Sequence, residues 1–80
     1  RVVGGEELLD EALGMAQAIC RNAPLAVRAS RRAIVDGRDR PADERWAIAE
    51  RAMEELTGTE DYREGPAAFV QKRDPQWTAR

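Results

Sequence analysis

The sequence predicts an all-α fold made of three amphipathic helices and a broken fourth helix. In three long segments the apolar residues recur every three or four positions, the spacing of one helix face. Proline and glycine fall between these segments, where helices begin and end. No stretch longer than Val2-Val3 has the composition of a β-strand.

The first helix is predicted from Glu6 to about Asn22. Acidic residues at its start stabilise the helix by interacting with the positive end of its dipole. Gly14 lies inside the helix, and we expect another helix to cross closely there. Cys20 is expected to be a small buried core residue in a reducing compartment. The apolar face consists of Leu8, Leu9, Ala12, Leu13, Ala16, Ile19 and Cys20.

The second helix is predicted to start at Pro24, because proline is well tolerated at the first helical position. Gly37 is expected to cap its C-terminal end. Three arginines lie opposite its apolar stripe: Arg28, Arg31 and Arg32. They could form a phosphate or nucleic-acid patch, or a solvated face that pairs with nearby acids. The net charge of −2 favours the solvated face.

The third helix is predicted to begin at Pro41 and to close at Thr57-Gly58. One of its faces carries an apolar seam made of Trp46, Ala49, Ala52, Met53 and Leu56. We interpret Trp46 as an anchor of a core or an interface.

The fourth segment begins with a helix cap, because the Thr59 hydroxyl can accept an N–H of the following turn. Gly65-Pro66 is expected to interrupt it, giving a short helix over Glu60–Glu64 and a second helix from Pro66 to about Arg73. Three residues are expected near one face of that second helix: Ala68, Phe69 and Lys72.

Composition limits what the chain can do alone. Its 80 residues make at most one small domain, and 14 of its 34 apolar residues are alanine, which buries little area. We therefore expect it to need another domain or subunit. The 13 basic and 15 acidic residues are interleaved, which argues against nucleic-acid binding. No apolar run could span a membrane, so we expect a soluble, cytoplasmic protein without a membrane partner.

No catalytic residue is predicted within the chain. It has no histidine and one cysteine, which excludes a zinc site and a histidine-dependent nucleophile system within these residues. The carboxylates of Glu54, Glu55, Glu60, Asp61 and Glu64 are expected at helix ends or polar faces, ionised in water.

The last 22 residues resemble the C-terminal signature of the enoyl-CoA hydratase/isomerase (crotonase) family, E-D-x-x-E-G-x-x-A-F-x-x-K-R-x-P-x-W. The segment from Asn22 to Arg28 is similar to the family's N-A-P-x-A-[VL]-[RK] helix junction, and Arg1-Val2-Val3 resembles the preceding strand end. The chain supplies the C-terminal signature with Glu60, Asp61, Glu64, Gly65, Ala68, Phe69, Lys72, Arg73, Pro75 and Trp77.

The resemblance implies that residues 1–80 are the C-terminal helical lid and trimerisation segment of a larger enzyme with the α/β spiral fold. The catalytic groups would lie in an N-terminal domain outside this chain. It also implies a homo-oligomer, a trimer or a dimer of trimers, with coenzyme A thioester as substrate and no covalently bound cofactor. The family positions that match Phe69 and Lys72 lie near the adenine and phosphate end of coenzyme A.

The reaction implied is the reversible addition of water to a 2-enoyl-CoA thioester, in fatty-acid or related acyl-CoA metabolism. The family also contains isomerases, dehydratases and hydrolases. Thr57 stands where many of the hydratases carry an aromatic residue, which leaves the acyl-chain preference open. The alternative is an independent helical module without acyl-CoA chemistry, which binds partners through the Trp46–Leu56 seam. Because the chain begins with Arg1 rather than methionine, we expect it to be a piece of a longer protein.

Overall fold

Four α-helices and no β-strand make up the computed structural model, which describes residues 1–80. The all-α prediction is therefore confirmed for this segment. The helices are α1 (Leu8–Cys20), α2 (Pro24–Asp36), α3 (Ala42–Thr57) and α4 (Glu60–Val70).

Helices α2 and α3 form an antiparallel hairpin and are the best-packed pair. Gly37 at the end of α2 meets the side chain of Arg45 near the start of α3, and Arg32 lies 3.8 Å from Glu55 further along. Alanines line the contact and allow the two backbones to approach. Ala29 is buried, whereas three apolar residues that line the same groove between α2 and α3 are half-buried: Ala33, Ile48 and Ala52.

Two glycines have environments that differ from the sequence-based expectation. Gly37 does cap α2, but its φ of −84° is right-handed, and Asp39 takes the left-handed conformation in this turn. Gly37 instead permits a close approach, because a Cβ there would lie only 3.0 Å from the carbonyl oxygen of Ala33. No atom of another segment lies within 4 Å of a Cβ built at Gly14, so the expected helix crossing is wrong for residues 1–80.

Helix α4 is continuous, and the prediction of a break at Gly65-Pro66 is wrong. Thr59 caps its start as predicted, with Oγ1 accepting the Tyr62 N–H at 3.2 Å. Pro66 lies inside the helix and removes one N–H donor from it. Residues on both sides of the proline are held by the same following segment: Asp61 accepts the Thr78 N–H, and Ala68 accepts the Arg73 N–H. Both halves of α4 are thus bonded to the segment that follows the helix.

The molecule is a flat, open slab of 43 × 40 × 18 Å. Its radius of gyration is 15.9 Å, whereas a compact 80-residue domain would have about 12 Å. Its accessible surface is 6871 Å², against about 4800 Å² for a folded monomer of this mass. Most of the expected interior is therefore missing from these residues.

The apolar faces of the helices are largely exposed. Only four of the 80 residues are buried, and Ala29 and Ala68 are the only apolar ones among them apart from glycine. Cys20 is exposed, so the expectation that it is buried is wrong within this segment. Trp46 is 70% exposed and does not anchor a core among these residues. The seam of α3 is divided, with Ala52 and Leu56 facing inward and Trp46 and Met53 outward.

None of the four helices combines the length and apolar character that crossing a lipid bilayer requires.

Candidate functional site at the end of helix α4

The C-terminal tail, residues 71–80, folds back along α4 and is tied to Asp61. This aspartate is 3% exposed. Its Oδ1 accepts the Thr78 N–H at 2.8 Å and the Thr78 hydroxyl at 3.3 Å, while its Oδ2 accepts the Ala79 N–H at 3.0 Å. The Asp61 N–H in turn donates to the carbonyl oxygen of Arg80 at 3.0 Å. Asp61 therefore satisfies the polar groups of the tail's last turn.

Glu64 holds the middle of the tail. Its Oε2 accepts a hydrogen bond from Nη1 of Arg73 at 2.6 Å, and its Oε1 accepts one from Nη2 at 2.9 Å, which makes the pair bidentate. Oε2 also accepts the Gln76 N–H at 2.7 Å. The hydrogen bonds from Arg73 and from the Gln76 N–H lower the pKa of Glu64 from 4.5 to about 2. The same contact raises the pKa of the Arg73 guanidinium. The pair is charged across the physiological pH range.

Helix α4 ends in a Schellman motif centred on Lys72. Gln71 is the C-cap, and Lys72 has a left-handed φ of 53°. The Lys72 N–H donates to the Phe69 carbonyl at 3.2 Å, and the Arg73 N–H donates to the Ala68 carbonyl at 3.1 Å. Lys72 and Arg73 thus lie beyond the helix, although the sequence predicted a helix that reached about Arg73.

Trp77 connects the tail to the beginning of the chain. Its indole Nε1–H donates to the carbonyl oxygen of Arg21 at 3.0 Å, just past the end of α1. Its ring lies over Gly65, where a Cβ would be 3.5 Å from Cη2. The tail therefore bridges α4 and the α1–α2 junction.

Phe69 and Lys72, the two residues predicted to contact coenzyme A, leave the same turn at the end of α4. Phe69 is 85% exposed and Lys72 is exposed, while Ala68 beside them is 2% exposed. The sequence placed Ala68 and Phe69 near one face, but the structure gives them opposite environments. An exposed aromatic ring is suited to stacking on a base, and an exposed ammonium group is suited to binding a phosphate. Coenzyme A binding by these two residues stays a prediction.

The carboxylates of α4 show what sequence reasoning missed. Glu60, Asp61 and Glu64 were all assigned to solvated positions, but Asp61 is buried and Glu64 is only 19% exposed. The spacing in the sequence could have indicated this burial. Positions 61, 64, 65 and 68 share one helix face, and a cation follows at Arg73. Since its pKa is lowered, Glu64 is unsuited to general acid–base catalysis near neutral pH.

The arginine face of α2 is exposed, and one of its members has an acidic neighbour. Arg32 lies 3.8 Å from Glu55, with 67% and 61% of the two side chains exposed. This arrangement agrees with the interpretation that Arg32 lies on a solvated face and pairs with a nearby acid.

The same helical arrangement occurs in solved enoyl-CoA hydratase structures. An enoyl-CoA hydratase/isomerase from Mycobacterium paratuberculosis matches 98% of this chain over 31% of its own, with 45% identity and a TM-score of 0.91. An enoyl-CoA hydratase from Bacillus anthracis matches 99% of this chain over 31% of its own, with 32% identity and a TM-score of 0.92. The matching structures are an enoyl-CoA hydratase/isomerase and an enoyl-CoA hydratase in which these four helices make up about a third of the chain.

Sequence comparison agrees. The family model described as enoyl-CoA hydratase/isomerase matches residues 1–80, the whole chain. A carnitinyl-CoA dehydratase from Salmonella arizonae is 38% identical over 81 residues, which covers 96% of this chain and 31% of that protein. The chain belongs to the enoyl-CoA hydratase/isomerase family, and it spans about a third of the length of the curated relatives that it matches.

Proposed function

We propose that residues 1–80 are the C-terminal helical segment of an acyl-CoA enzyme, packed over the catalytic body and against a neighbouring subunit. The observation that carries this proposal is the large accessible surface, which includes the exposed apolar faces of the helices. The accessible surface of 6871 Å² exceeds that of a compact monomer by about 2000 Å², more than the roughly 800 Å² that one partner buries in a standard interface. Family membership supplies the kind of body that would cover it.

The proposed reaction is the reversible addition of water to the 2,3-double bond of an enoyl-CoA thioester. Hydroxyl adds at C3 and a proton at C2, and the reverse step eliminates water. The names of the relatives, hydratases on one side and a dehydratase on the other, describe these two directions. Residues 1–80 contribute no reacting group in this proposal, so the thioester carbonyl and the water are activated by the rest of the enzyme. The parent is proposed to be a cytoplasmic trimer, or a dimer of trimers, with the α/β spiral fold.

In this proposal Phe69 and Lys72 bind the nucleotide end of coenzyme A. Lys72 is the only lysine among the 13 basic residues, and it forms no salt bridge within the chain. Its ammonium group is therefore free for a phosphate. Phe69, three positions earlier, is 85% exposed, so this chain leaves its aromatic ring largely uncovered.

Steady-state kinetics of the full-length enzyme test this role. Lys72→Ala is expected to raise KM for an enoyl-CoA thioester about tenfold, with kcat unchanged, because the phosphate contact lies far from the reacting carbons. Arg38→Ala, which removes an exposed charge from the α2–α3 turn, is the control and is expected to leave KM unchanged. An unchanged KM for Lys72→Ala would overturn the coenzyme A role. Tight partner binding by the isolated segment, unaffected by coenzyme A, would favour the helical interaction module instead.

A further inference from the structure

We propose that Glu64 is a positioning residue for Lys72: by clamping Arg73 it fixes the direction in which the Lys72 side chain leaves the end of α4. The inference rests on the proposed coenzyme A role of Lys72 and adds the residue that determines its orientation. It is carried by the geometry on both sides of Lys72.

Lys72 has a backbone conformation that needs support. Its φ of 53° is left-handed, which L-residues other than asparagine and aspartate rarely adopt. A lysine has no side-chain group that stabilises this conformation locally. The Schellman hydrogen bonds of Lys72 and Arg73 hold this conformation, and contacts of the neighbouring side chains add to them.

The residues on either side of Lys72 are fixed through one guanidinium group. Arg73 donates its two Nη groups to Glu64 and its Nε–H to Oε1 of Gln71 at 2.7 Å. Its Nη1 also lies 3.3 Å from the carbonyl oxygen of Asp74. The guanidinium thus bridges Gln71, directly before Lys72, and Asp74, two positions after it. Glu64 is the only group in this network that projects from the helix itself, so it anchors the arrangement to α4.

The charges at this end of α4 lead to the same conclusion. The Arg73 charge is matched by Glu64 in a bidentate pair, and Lys72 has no acidic partner within the chain. Lys72 is therefore the one unmatched cation of this turn. If Glu64 were neutral, the bidentate pair with Arg73 would be lost and the turn that orients Lys72 would relax.

Kinetics of the full-length Glu64→Gln enzyme with two substrates test the proposal. With an enoyl-CoA thioester, KM is expected to rise about tenfold, within the range of coupling between neighbouring residues, while kcat stays unchanged. With the matching enoyl-pantetheine thioester, which lacks the nucleotide, both constants should stay at the wild-type level. A general structural defect would instead change both substrates. Glu44→Gln, which breaks the exposed 3.2 Å pair with Arg40, is the matched control and should leave both substrates unaffected.

The double variant Glu64→Gln/Lys72→Ala tests whether Glu64 affects substrate binding through Lys72 or independently of it. If Glu64 acts through Lys72, the double variant has the same KM as Lys72→Ala alone. Additive increases in KM would overturn the proposal. If Glu64→Gln does not fold, Arg73→Lys replaces it, since lysine keeps the charge but cannot span Gln71 and Glu64, and the same substrate split is expected.

The result also distinguishes this inference from the function on which it rests. A raised KM in Lys72→Ala together with a wild-type KM in Glu64→Gln overturns positioning and leaves the coenzyme A role standing. A wild-type KM in Lys72→Ala overturns both.

Discussion

The indole Nε1–H of Trp77 donates a 3.0 Å hydrogen bond to the carbonyl oxygen of Arg21, 56 positions earlier in the chain. Carbonyl groups at the end of a helix have no partner within it, and Arg21 is the C-cap of α1. The Trp77 bond therefore satisfies one orphan acceptor while its ring covers Gly65 of α4. One side chain thus joins the first and last helices of an otherwise open segment.

Replacing Trp77 with phenylalanine should remove this bond and keep most of the ring packing. We expect Trp77→Phe to lower the free energy of unfolding of the full-length protein by about 1 kcal/mol, the net value of one hydrogen bond. Urea denaturation measures the change. Equal stability of variant and wild type would mean that water replaces the indole at the Arg21 carbonyl without loss.

Asparagine at position 61 should weaken the attachment of the tail. Asp61 Oδ2 accepts the Ala79 N–H, and an amide NH₂ in its place would face that donor and leave it unsatisfied, at about 1–3 kcal/mol. Amide hydrogen exchange at Thr78 and Ala79 in the full-length Asp61→Asn protein should become faster. Asp43→Asn, in the exposed first turn of α3, is the control. Unchanged protection of both amides in Asp61→Asn would contradict the assigned role.

Local signals made much of the secondary structure predictable from the sequence. Pro24 stands at the first position of α2, and Thr59 caps α4 through its own hydroxyl. Such features depend on residues within one turn of each other, so the local sequence is enough to predict them. The positions of α1, α2 and α3 follow from the same kind of evidence.

Features that depend on distant residues were not predictable in this way. Local rules predict a break at Pro66, but α4 continues through it, with the tail bonded to Asp61 before the proline and to Ala68 after it. Asp61 is buried because the tail returns to it, and no pattern around position 61 specifies that return. Trp46 shows the converse, since the sequence identifies its apolar position but residues 1–80 leave it exposed.

The Glu64–Arg73 pair should make stability depend on pH in the acidic range. The pKa of Glu64 is lowered from 4.5 to about 2 in the folded protein, so the unfolded chain binds its proton first as the pH falls. The stabilisation is therefore complete above about pH 4.5 and is lost as the pH approaches about 2. The difference in Tm between the full-length wild type and Glu64→Gln should be constant above pH 4.5 and shrink below it. A difference that stays constant down to pH 3 would contradict the pKa assignment.

Glycine at position 72 should separate stability from ligand binding. Lys72 adopts a left-handed φ of 53°, which costs an L-residue roughly 1–2 kcal/mol and costs glycine little. Lys72→Gly should therefore raise the free energy of unfolding of the full-length protein by about 1 kcal/mol relative to Lys72→Ala, because alanine keeps the Cβ that makes this conformation unfavourable. Both variants lack the ammonium group, so both should show the same increase in KM for an enoyl-CoA thioester. Urea denaturation and steady-state kinetics on the two proteins check the pair of expectations. Equal stabilities would show that the turn relaxes out of the left-handed conformation, whereas unequal KM values would show that the backbone of this turn, and not only the Lys72 charge, contributes to binding.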